Sequence, residues 1–351
     1  MSNEGGAIPN RFAVILAGGI GSRFWPASTP ERPKQLLPLG SEQPLIADTV
    51  DRAIRIAGLD RSLIVTGNSL VGPFKSTVPE LSDDNFLIEP APKGTGPALA
   101  WAAAEILRRD PDAVMVSLHA DHVISPDAAF QETVERAAIA AAADGRLYCI
   151  GVRPDRPETG YGYVRIGESG APGVHSVRQF VEKPDLDTAQ AYCDSDEYLW
   201  NSGIFVWRPA DLLAAIREFT PELSAGLDRL EAGDVDDFFR EAEPISIDHG
   251  VMERADSVGV VEASFDWDDV GAWNALGRTR STDEHGNAVV GRAVLVDSHD
   301  NIVWAEDDEV TLFGVDGLVV VRSGGKTLVT SREAAPDLKR LVSRIRDGGQ
   351  S

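Results

Sequence analysis

Cysteine is scarce in this chain, which has two cysteines among 351 residues. Cys149 and Cys193 form no disulfide framework and no metal-ligand spacing, so we expect a protein of the reduced cytoplasm. The chain has no run of about 18 apolar residues, so we expect no membrane-spanning segment and no membrane partner. Residues 1–10 lack the charged and then apolar layout of a signal peptide, which agrees with a cytoplasmic location.

Positive charge is also in short supply. The chain has 33 Lys and Arg residues against 56 Asp and Glu residues, a formal net charge of −23. Phosphate backbones are bound by basic surfaces, so this balance argues against a nucleic-acid partner. If the substrates are themselves anionic, positive charge has to be concentrated at one place in the fold, helped by a divalent cation.

Two common nucleotide-binding motifs are missing. A P-loop needs Gly, four residues and then Gly-Lys-Ser/Thr, and no such run occurs. A dinucleotide fingerprint needs Gly-x-Gly-x-x-Gly, and the run that starts at Gly19 has Phe24 at the third glycine position. The glycines near the N-terminus therefore belong to another kind of loop.

That loop follows a short apolar run at residues 12–16, which is typical of a strand buried on both faces. Glycine tolerates positive φ and has no Cβ, so a glycine-rich backbone can close around a phosphate and direct several N–H groups at it. Two cations, Arg23 and Lys34, follow the glycines. A bare loop with two fixed positive charges suits a triphosphate.

Strands and helices alternate through the first 150 residues. The patterns predict strands at 12–16, 63–67, 86–90, 113–118 and 147–152, and helices at 44–59, 97–109 and 127–143. Strands separated by helices of this length predict an α/β fold with a mostly parallel sheet covered on both sides. Ligands in such sheets bind beyond the carboxyl ends of the strands, where the glycine loop lies.

The loop residues carry a resemblance to a known family. Leu-Ala-Gly-Gly-x-Gly-x-Arg followed by Pro-Lys-Gln-Leu-Leu-Pro resembles the signature of the sugar-1-phosphate nucleotidylyltransferases. The resemblance implies a Rossmann-like catalytic domain at 12–286 after a disordered segment at 1–11, with Arg23 and Lys34 as the catalytic cations. It also implies nucleotide-binding residues in the loop, namely Leu16, Ala17, Gly18, Gly19, Gly21 and Ser22.

One metal-binding carboxylate is expected just after the strand at 113–118. Asp121 lies there in the run His-Ala-Asp-His, and Mg²⁺ prefers one or two carboxylates together with phosphate oxygens. The flanking His119 and His122 offer zinc as an alternative, although no further Cys or His lies at ligand spacing.

The second carboxylate is expected far along the chain. The run Trp-Asp-Asp-Val-Gly resembles the late Trp-x-Asp-x-Gly segment of the family, which implies that Asp269 is the second Mg²⁺ ligand. Asp266 and Asp268 compete for this role, and three neighbouring acidic residues can also form a solvated loop.

The sugar phosphate is expected to bind between these two segments. A carboxylate accepts hydrogen bonds from sugar hydroxyls, and a neighbouring lysine suits a phosphate. The runs Gly-Tyr-Gly-Tyr, Glu-Lys-Pro and Asn-Ser-Gly resemble the sugar-binding motifs of the family. The corresponding residues are Gly162, Glu182, Lys183 and Asn201.

The choice of nucleotide depends on a run that starts at Glu89. Its Lys-Gly-Thr-Gly-Pro-Ala portion resembles the base-facing segment of the mannose-1-phosphate guanylyltransferases, with two changed positions and a lysine in place of an arginine. The resemblance implies that Thr95 and Pro97 contact the nucleotide and that the nucleotide is GTP.

The remaining residues, 287–351, are expected to form a small β domain that ends in a helix. Short strands separated by polar turns predict a β-meander or a partial β-solenoid, and the family resemblance favours a partial left-handed β-helix. No residue in this unit matches a catalytic motif. So small a unit buries little of its own surface, so we expect it to pack on the catalytic domain and to contribute to a homodimer.

The resemblance as a whole implies a magnesium-dependent enzyme that converts GTP and mannose 1-phosphate into GDP-mannose and pyrophosphate. Three alternatives remain open: the same chemistry on another sugar 1-phosphate such as a heptose or glucose, a non-catalytic regulatory paralogue, and a nicotinamide-dependent dehydrogenase. Phe24 at the third fingerprint position argues against the last of these.

Overall fold

The computed structural model describes residues 10–346 and 348 of the chain. Its strands, in chain order, are β1 (Arg11–Leu16), β2 (Ser62–Gly67), β3 (Phe86–Glu89), β4 (Val114–His119), β5 (Val123–Ser125), β6 (Leu147–Val152), β7 (Gly162–Ser169), β8 (Val174–Glu182), β9 (Tyr198–Trp207), β10 (Val258–Glu262), β11 (Asp266–Asp268), β12 (Ala288–Val296), β13 (Ile302–Phe313), β14 (Leu318–Ser323) and β15 (Lys326–Ser331). Its α-helices are α1 (Leu45–Ala57), α2 (Asn68–Thr77), α3 (Thr95–Arg109), α4 (Asp127–Asp144), α5 (Leu186–Cys193), α6 (Pro209–Phe219), α7 (Pro221–Ser224), α8 (Leu227–Glu231), α9 (Val235–Glu241), α10 (Leu276–Thr279) and α11 (Leu338–Arg346).

The central feature is a nine-stranded sheet with the order β3-β2-β1-β4-β9-β6-β10-β8-β7. Strands β3, β2, β1 and β4 are parallel, as predicted, and β6 is parallel to β10. The prediction of a mostly parallel sheet does not extend further, because β9 runs antiparallel to β4, β6 and β7. Strands β7 and β8 pair as a hairpin across a short turn, which joins antiparallel neighbours without a crossover helix.

Strand β1 is buried on both faces, as its apolar run predicts. Phe12, Val14 and Leu16 belong to a core shared with α3 and α6, whereas Ala13 and Ile15 belong to the core beneath α1 and α4. Side chains alternate between the two faces of a strand, so this run fills both cores at once. The glycine loop is thereby fixed to an interior strand of the sheet.

A short ribbon outside the main sheet joins two distant parts of the chain. Strand β5 pairs antiparallel with β11, and the register places Val123 opposite Asp268. Because Asp121 lies two residues before Val123 and Asp269 follows Asp268, this pairing brings the two predicted metal ligands to the same end of the ribbon.

The C-terminal unit coils instead of forming a meander. Strands β12, β13 and β14 are parallel neighbours, yet only residues 297–301 and 314–317 connect them. A flat parallel sheet needs a connection of about a dozen residues or more, so the chain must wind around itself. A break in register between Gly291 and Ala293 marks the bend in β12, and β15 then closes the unit antiparallel to β14.

Two stacked asparagines hold the turns of this coil. The side-chain oxygen of Asn287 accepts hydrogen bonds from the backbone N–H and the side-chain N–H of Asn301 at 2.9 and 3.0 Å. The side-chain oxygen of Asn301 in turn accepts the backbone N–H of Leu318 at 2.9 Å. Both asparagines are buried, so each satisfies backbone groups that water cannot reach.

A third hydrophobic core joins the two units. Phe24 and Trp273 of the catalytic region pack in one cluster with Trp304, Val321 and Leu338 of the C-terminal unit. The predicted packing of the C-terminal unit on the catalytic domain is therefore confirmed.

The predicted helices 44–59, 97–109 and 127–143 match α1, α3 and α4 to within two residues at each end. Helix α2 was not predicted; it contains Pro73, which usually breaks a helix. The predicted disorder of residues 1–11 falls mostly on 1–9, which lie outside the described residues. It is wrong for Arg11, which pairs with Val114 at the start of β1. Among the described residues, no helix has the length and apolar character needed to cross a membrane.

Candidate active site

The glycine loop is held in a tight turn by hydrogen bonds that side chains donate to its backbone carbonyl groups. Gly21 has a φ of 70°, and a Cβ placed on it would lie 2.3 Å from Cβ of Lys34, so only glycine fits. The Ser28 hydroxyl donates to the carbonyl of Gly21 at 2.7 Å, and the Gln35 amide donates to the carbonyl of Gly18 at 2.7 Å. The loop geometry is thus fixed before any ligand binds.

The backbone N–H groups of the same loop differ from its carbonyl groups in their hydrogen bonding. Within the described part of the chain, no hydrogen bond involves the backbone N–H groups from Gly18 to Ser22. These donors lie beside a cavity of about 580 Å³, whose wall includes Gly19 to Phe24. Consecutive unpaired backbone donors at a cavity form an anion-binding site. Leu16 and Ala17 lie beneath the loop and are buried, so they support its position.

Lys34 connects the loop to both predicted metal ligands. Its ammonium group donates to Oδ2 of Asp121 at 2.9 Å and to the backbone carbonyl of Asp269 at 2.7 Å. The Lys34 side chain is 7% exposed, so its charge is held in one place. Lys34, Asp121 and Asp269 all line the 580 Å³ cavity, as does Arg23, whose guanidinium donates to the carbonyl of Gly271 at 3.3 Å.

The structure separates Asp269 from its acidic neighbours. Asp268 forms an ion pair with Arg278 at 2.6 Å and accepts the backbone N–H of Val270 at 2.8 Å. Asp266 and Asp268 line a different cavity of about 730 Å³, which the β5–β11 ribbon also lines. Asp269 alone among the three faces the glycine loop.

Asp269 is held by its surroundings. The hydroxyl of Tyr161 donates to Oδ1 of Asp269 at 2.7 Å. The next residue, Val270, has a φ of 47°, which is strained for a β-branched side chain. Strain of this kind persists only where the surrounding structure imposes it, and it is concentrated at functional sites. Sequence reasoning missed Tyr161, because nothing in its own run identifies a partner more than 100 residues away.

The two carboxyl groups differ in their electrostatics. Burial acts to raise the pKa of Asp121, but nearby positive charge, above all that of Lys34, outweighs it and lowers the pKa to about 2. Burial raises the pKa of Asp269, with the charges of Asp268 and Asp121 acting in the same direction and Lys34 and Tyr161 acting against it. A cation between the two carboxylates would stabilise both in their ionised forms.

The neighbouring histidines are poorly arranged for zinc. Donor atoms of His119, Asp121 and His122 lie within 4.8 Å of one another. However, the indole N–H of Trp267 donates to Nδ1 of His122 at 3.1 Å. Burial lowers the pKa of His122 well below its usual value, so the ring is neutral and its proton is on the other nitrogen. That nitrogen cannot bind a metal, so His119 and Asp121 remain from this group, fewer than the three or four protein ligands of a zinc site. The carboxylate oxygens of Asp121 and Asp269 suit a hard divalent cation.

The predicted sugar-binding residues meet where β7 begins and β8 ends, beside Asn201 within β9. Gly162 lies opposite both Glu182 and Asn201 in the sheet register. A Cβ on Gly162 would lie 2.4 Å from Oε2 of Glu182, so a side chain at this position would displace the Glu182 carboxylate. Lys183 has a φ of 52°, contacts Glu182 through its ammonium group, and donates its backbone N–H to the carbonyl of Tyr161 at 3.1 Å. Tyr161 thus links the predicted sugar-binding residues to Asp269.

A further carboxylate, Asp248, belongs to this group and was not predicted. Its Oδ1 accepts the side-chain N–H of Asn201 at 2.8 Å. Burial raises the pKa of Glu182, and the charge of Asp248 raises it further, against the effect of Lys183. Asp248 lies in a turn of π-helix at 248–252, a type of turn that is often found at functional sites.

The predicted base-contacting residues lie away from this cavity. The Thr95 hydroxyl accepts the backbone N–H of Ile247 at 2.9 Å, which ties the start of α3 to the segment before the π-helix. Pro97 is buried in the first turn of α3. Their contact with a nucleotide stays a prediction.

Sequence reasoning also missed one residue of the C-terminal unit. Lys339 of α11 lines the 580 Å³ cavity together with the glycine loop. No motif marks this lysine; the available signal was the concentration of basic residues at 338–346 in an acidic chain.

Comparisons with known proteins agree with this geometry. The family model described as nucleotidyl transferase matches residues 12–286, and that of the MannoseP isomerase/GMP-like beta-helix domain matches 291–345. The chain belongs to the nucleotidyl transferase family. Members of this family act on a nucleoside triphosphate and a sugar phosphate and generally use a divalent metal.

Several relatives cover almost the whole chain. A mannose-1-phosphate guanylyltransferase of Escherichia coli K12 is 36% identical over 97% of this chain and 74% of its own length. The ManC mannose-1-phosphate guanylyltransferase of Salmonella typhimurium LT2 is 37% identical over the same shares. A crystal structure from Thermus thermophilus, described as a mannose-1-phosphate geranyltransferase, has a TM-score of 0.90 and 34% identity, and the match covers 96% of this chain and 99% of that one. The predicted fold, with its catalytic domain and C-terminal β-helix, is confirmed.

Proposed function

We propose that this chain transfers GMP from GTP to α-D-mannose 1-phosphate, producing GDP-mannose and pyrophosphate. The main observation is that the Lys34 ammonium group donates hydrogen bonds both to Asp121 and to the carbonyl of Asp269. It does so beside a glycine loop whose backbone N–H groups have no hydrogen-bond partner among the described residues. The names of the Escherichia coli and Salmonella relatives support guanylyl transfer to mannose 1-phosphate.

The reaction requires positioning and charge stabilisation more than covalent chemistry. A phosphate oxygen of mannose 1-phosphate attacks the α-phosphorus of GTP. The bond from that phosphorus to the oxygen of the β-phosphate breaks, and pyrophosphate leaves. In this proposal the loop N–H groups and Arg23 bind the departing pyrophosphate, and Lys34 stabilises the charge at the reacting phosphorus.

We propose Mg²⁺ as the divalent metal, held by Asp121 and Asp269. Both residues line the same cavity, and their oxygens suit Mg²⁺ better than zinc. When bound, the ion neutralises phosphate charge and aligns the two substrates. Tyr161 orients Asp269 for this role, and Lys34 keeps Asp121 ionised.

We propose that mannose 1-phosphate lies beside the start of β7, the end of β8 and Asn201 of β9. Glu182 accepts hydrogen bonds from sugar hydroxyls, while Lys183 binds the attacking phosphate. Asn201, held by Asp248, contacts the sugar, and the missing side chain of Gly162 leaves space for it. The link from Lys183 through Tyr161 to Asp269 supports a sugar phosphate close to the metal.

Release of pyrophosphate from a grid of nucleoside triphosphates and sugar 1-phosphates tests this proposal. We expect GTP with mannose 1-phosphate to give the highest kcat/KM, and chelation of divalent ions to abolish release. A higher kcat/KM with a heptose or glucose 1-phosphate would show that the reaction is the one proposed but that the sugar substrate is not mannose 1-phosphate. No pyrophosphate release with any pair would contradict the proposal.

We also propose a homodimer formed through the C-terminal unit. Val294, Val296 and Phe313 share one exposed apolar face of β12 and β13, and Phe313 is 72% exposed. Light scattering is expected to give twice the chain mass for the protein and the single mass for Phe313→Glu. A monomeric protein would contradict this assembly.

A further inference from the structure

The last helix has an unusual charge for this chain. Helix α11 contains nine residues, of which four are basic and none is acidic, whereas the chain as a whole has a formal net charge of −23. A cluster of one sign raises the local concentration of oppositely charged ligands. The position of the helix therefore determines where an anion is attracted.

Apolar contacts fix α11 beside the glycine loop. Leu338 and Val342, one helical turn apart, are both buried. Leu338 packs in the same core as Phe24, which ends the 3₁₀ turn that follows the loop glycines. The helix is thus attached to the loop that is proposed to bind phosphate, and the contact is apolar and independent of any ligand.

Lys339 follows Leu338 and lines the cavity beside the loop. Its side chain forms no ion pair and no hydrogen bond with any residue that the structure describes, although the chain has a large excess of carboxylates. Arg23, on the same cavity wall, likewise has no carboxylate within 4 Å among the described residues. Lys34, in contrast, is paired with Asp121.

The charges contributed by the catalytic region cancel at this cavity. Arg23 and Lys34 are balanced by Asp121 and Asp269. A triphosphate is strongly anionic, and a divalent metal offsets only part of its charge. Of the described lining residues, Lys339 supplies the one positive charge that remains.

We propose that Lys339 binds the terminal phosphates of the nucleotide, so that the C-terminal unit completes the pyrophosphate end of the active site. This inference rests on the proposed function, since it takes the glycine loop to bind a triphosphate. In this arrangement Lys339 and Arg23 hold the departing pyrophosphate, while Lys34 stays at the reacting phosphorus. The β-helix unit then has a part in binding as well as in assembly.

Steady-state kinetics of Lys339→Ala in both directions test the inference. We expect the KM for GTP in synthesis, and the KM for pyrophosphate in the reverse reaction, to rise roughly tenfold, the effect of one lost charge-assisted contact. The KM for mannose 1-phosphate and the melting temperature should not change, because Lys339 is exposed and the predicted sugar-binding residues do not line its cavity. Lys339→Arg should restore most of the affinity.

Arg340→Ala is the matched control, because Arg340 is the next residue on the same helix, carries the same charge, is exposed and does not line the cavity. Equal effects of Lys339→Ala and Arg340→Ala would indicate general electrostatic attraction by the helix, not a specific contact of Lys339, and would overturn the inference. An unchanged KM for GTP in Lys339→Ala would also overturn it.

Direct binding separates this inference from the proposed function. Isothermal titration of inorganic pyrophosphate into the unmodified protein and into Lys339→Ala needs no turnover. Weaker binding to the variant supports the inference even if GTP and mannose 1-phosphate are not the substrates. Equal binding to the two proteins, or no binding to either, overturns it.

Discussion

The site has a phosphate side, which contains the glycine loop and Lys34, and a sugar side, which contains Glu182 and Lys183. Each side has a lysine, but the two lysines lie in different surroundings. Lys34 has a side chain that is 7% exposed and is fixed by two hydrogen bonds, whereas the side chain of Lys183 is 60% exposed. A buried, fixed charge acts on a developing charge without reorganisation, whereas an exposed one mainly adds affinity. The comparison suggests that the phosphate side determines the rate and the sugar side determines binding.

The largest effect is expected from Asp269→Asn, which removes the charge of a proposed metal ligand and preserves its shape. We expect kcat to fall by about 10³-fold with little change in melting temperature, because transition-state charge is stabilised at this point. Pyrophosphate release at saturating substrates measures the change.

Asp268→Asn is the control for this variant. Asp268 forms an ion pair with Arg278 and faces the other cavity, so its substitution should lower the melting temperature and leave kcat within about tenfold. An inactive Asp268→Asn together with an active Asp269→Asn would show that the metal ligand is Asp268 and not Asp269.

Lys34→Ala is expected to lower kcat by about 10²-fold while the KM values for both substrates stay within about threefold. The variant also removes the partner of Asp121, so the metal concentration for half-maximal rate should change with it. A large rise in the KM for GTP at an unchanged kcat would show that Lys34 binds the ground state.

Much of this arrangement could be predicted from the sequence. The ends of parallel strands share one edge of the sheet, so the glycine loop after β1 and Asp121 after β4 were expected to lie together. Asp269 was expected from its motif, and the β5–β11 ribbon supplies the physical reason for its position.

The remainder depends on contacts between distant parts of the chain. The antiparallel half of the sheet follows from the insertion of β9 between β4 and β6, which no local pattern encodes. Tyr161, Asp248 and Lys339 are brought to the site by partners far away in sequence. Local patterns predict elements and strand ends, but not which side chains meet there.

Lys183→Ala tests the sugar side. We expect the KM for mannose 1-phosphate to rise about tenfold with kcat nearly unchanged, because an exposed lysine contributes one charge-assisted contact to the bound phosphate. The KM for GTP should not change. If Lys34→Ala and Lys183→Ala both have small and equal effects, of about 0–1 kcal/mol as for ordinary surface charges, the two lysines do not have different roles in rate and in binding.

The smallest effect is expected at the residue that joins the two sides, in the variant Tyr161→Phe. The variant removes the hydroxyl that donates to Asp269 and keeps the ring, whose edge-to-face contacts with Trp200 and Trp267 hold the segment in place. A typical hydrogen bond contributes about 0.5–1.5 kcal/mol, which corresponds to roughly a threefold to tenfold change, so we expect kcat to fall by that factor. The Mg²⁺ concentration for half-maximal rate should rise with it, because Asp269 is then less well oriented. The melting temperature should change little, since the ring still fills its space. A metal titration of both proteins at saturating substrates measures this, and a fall in kcat with an unchanged metal dependence would assign Tyr161 to the sugar side instead.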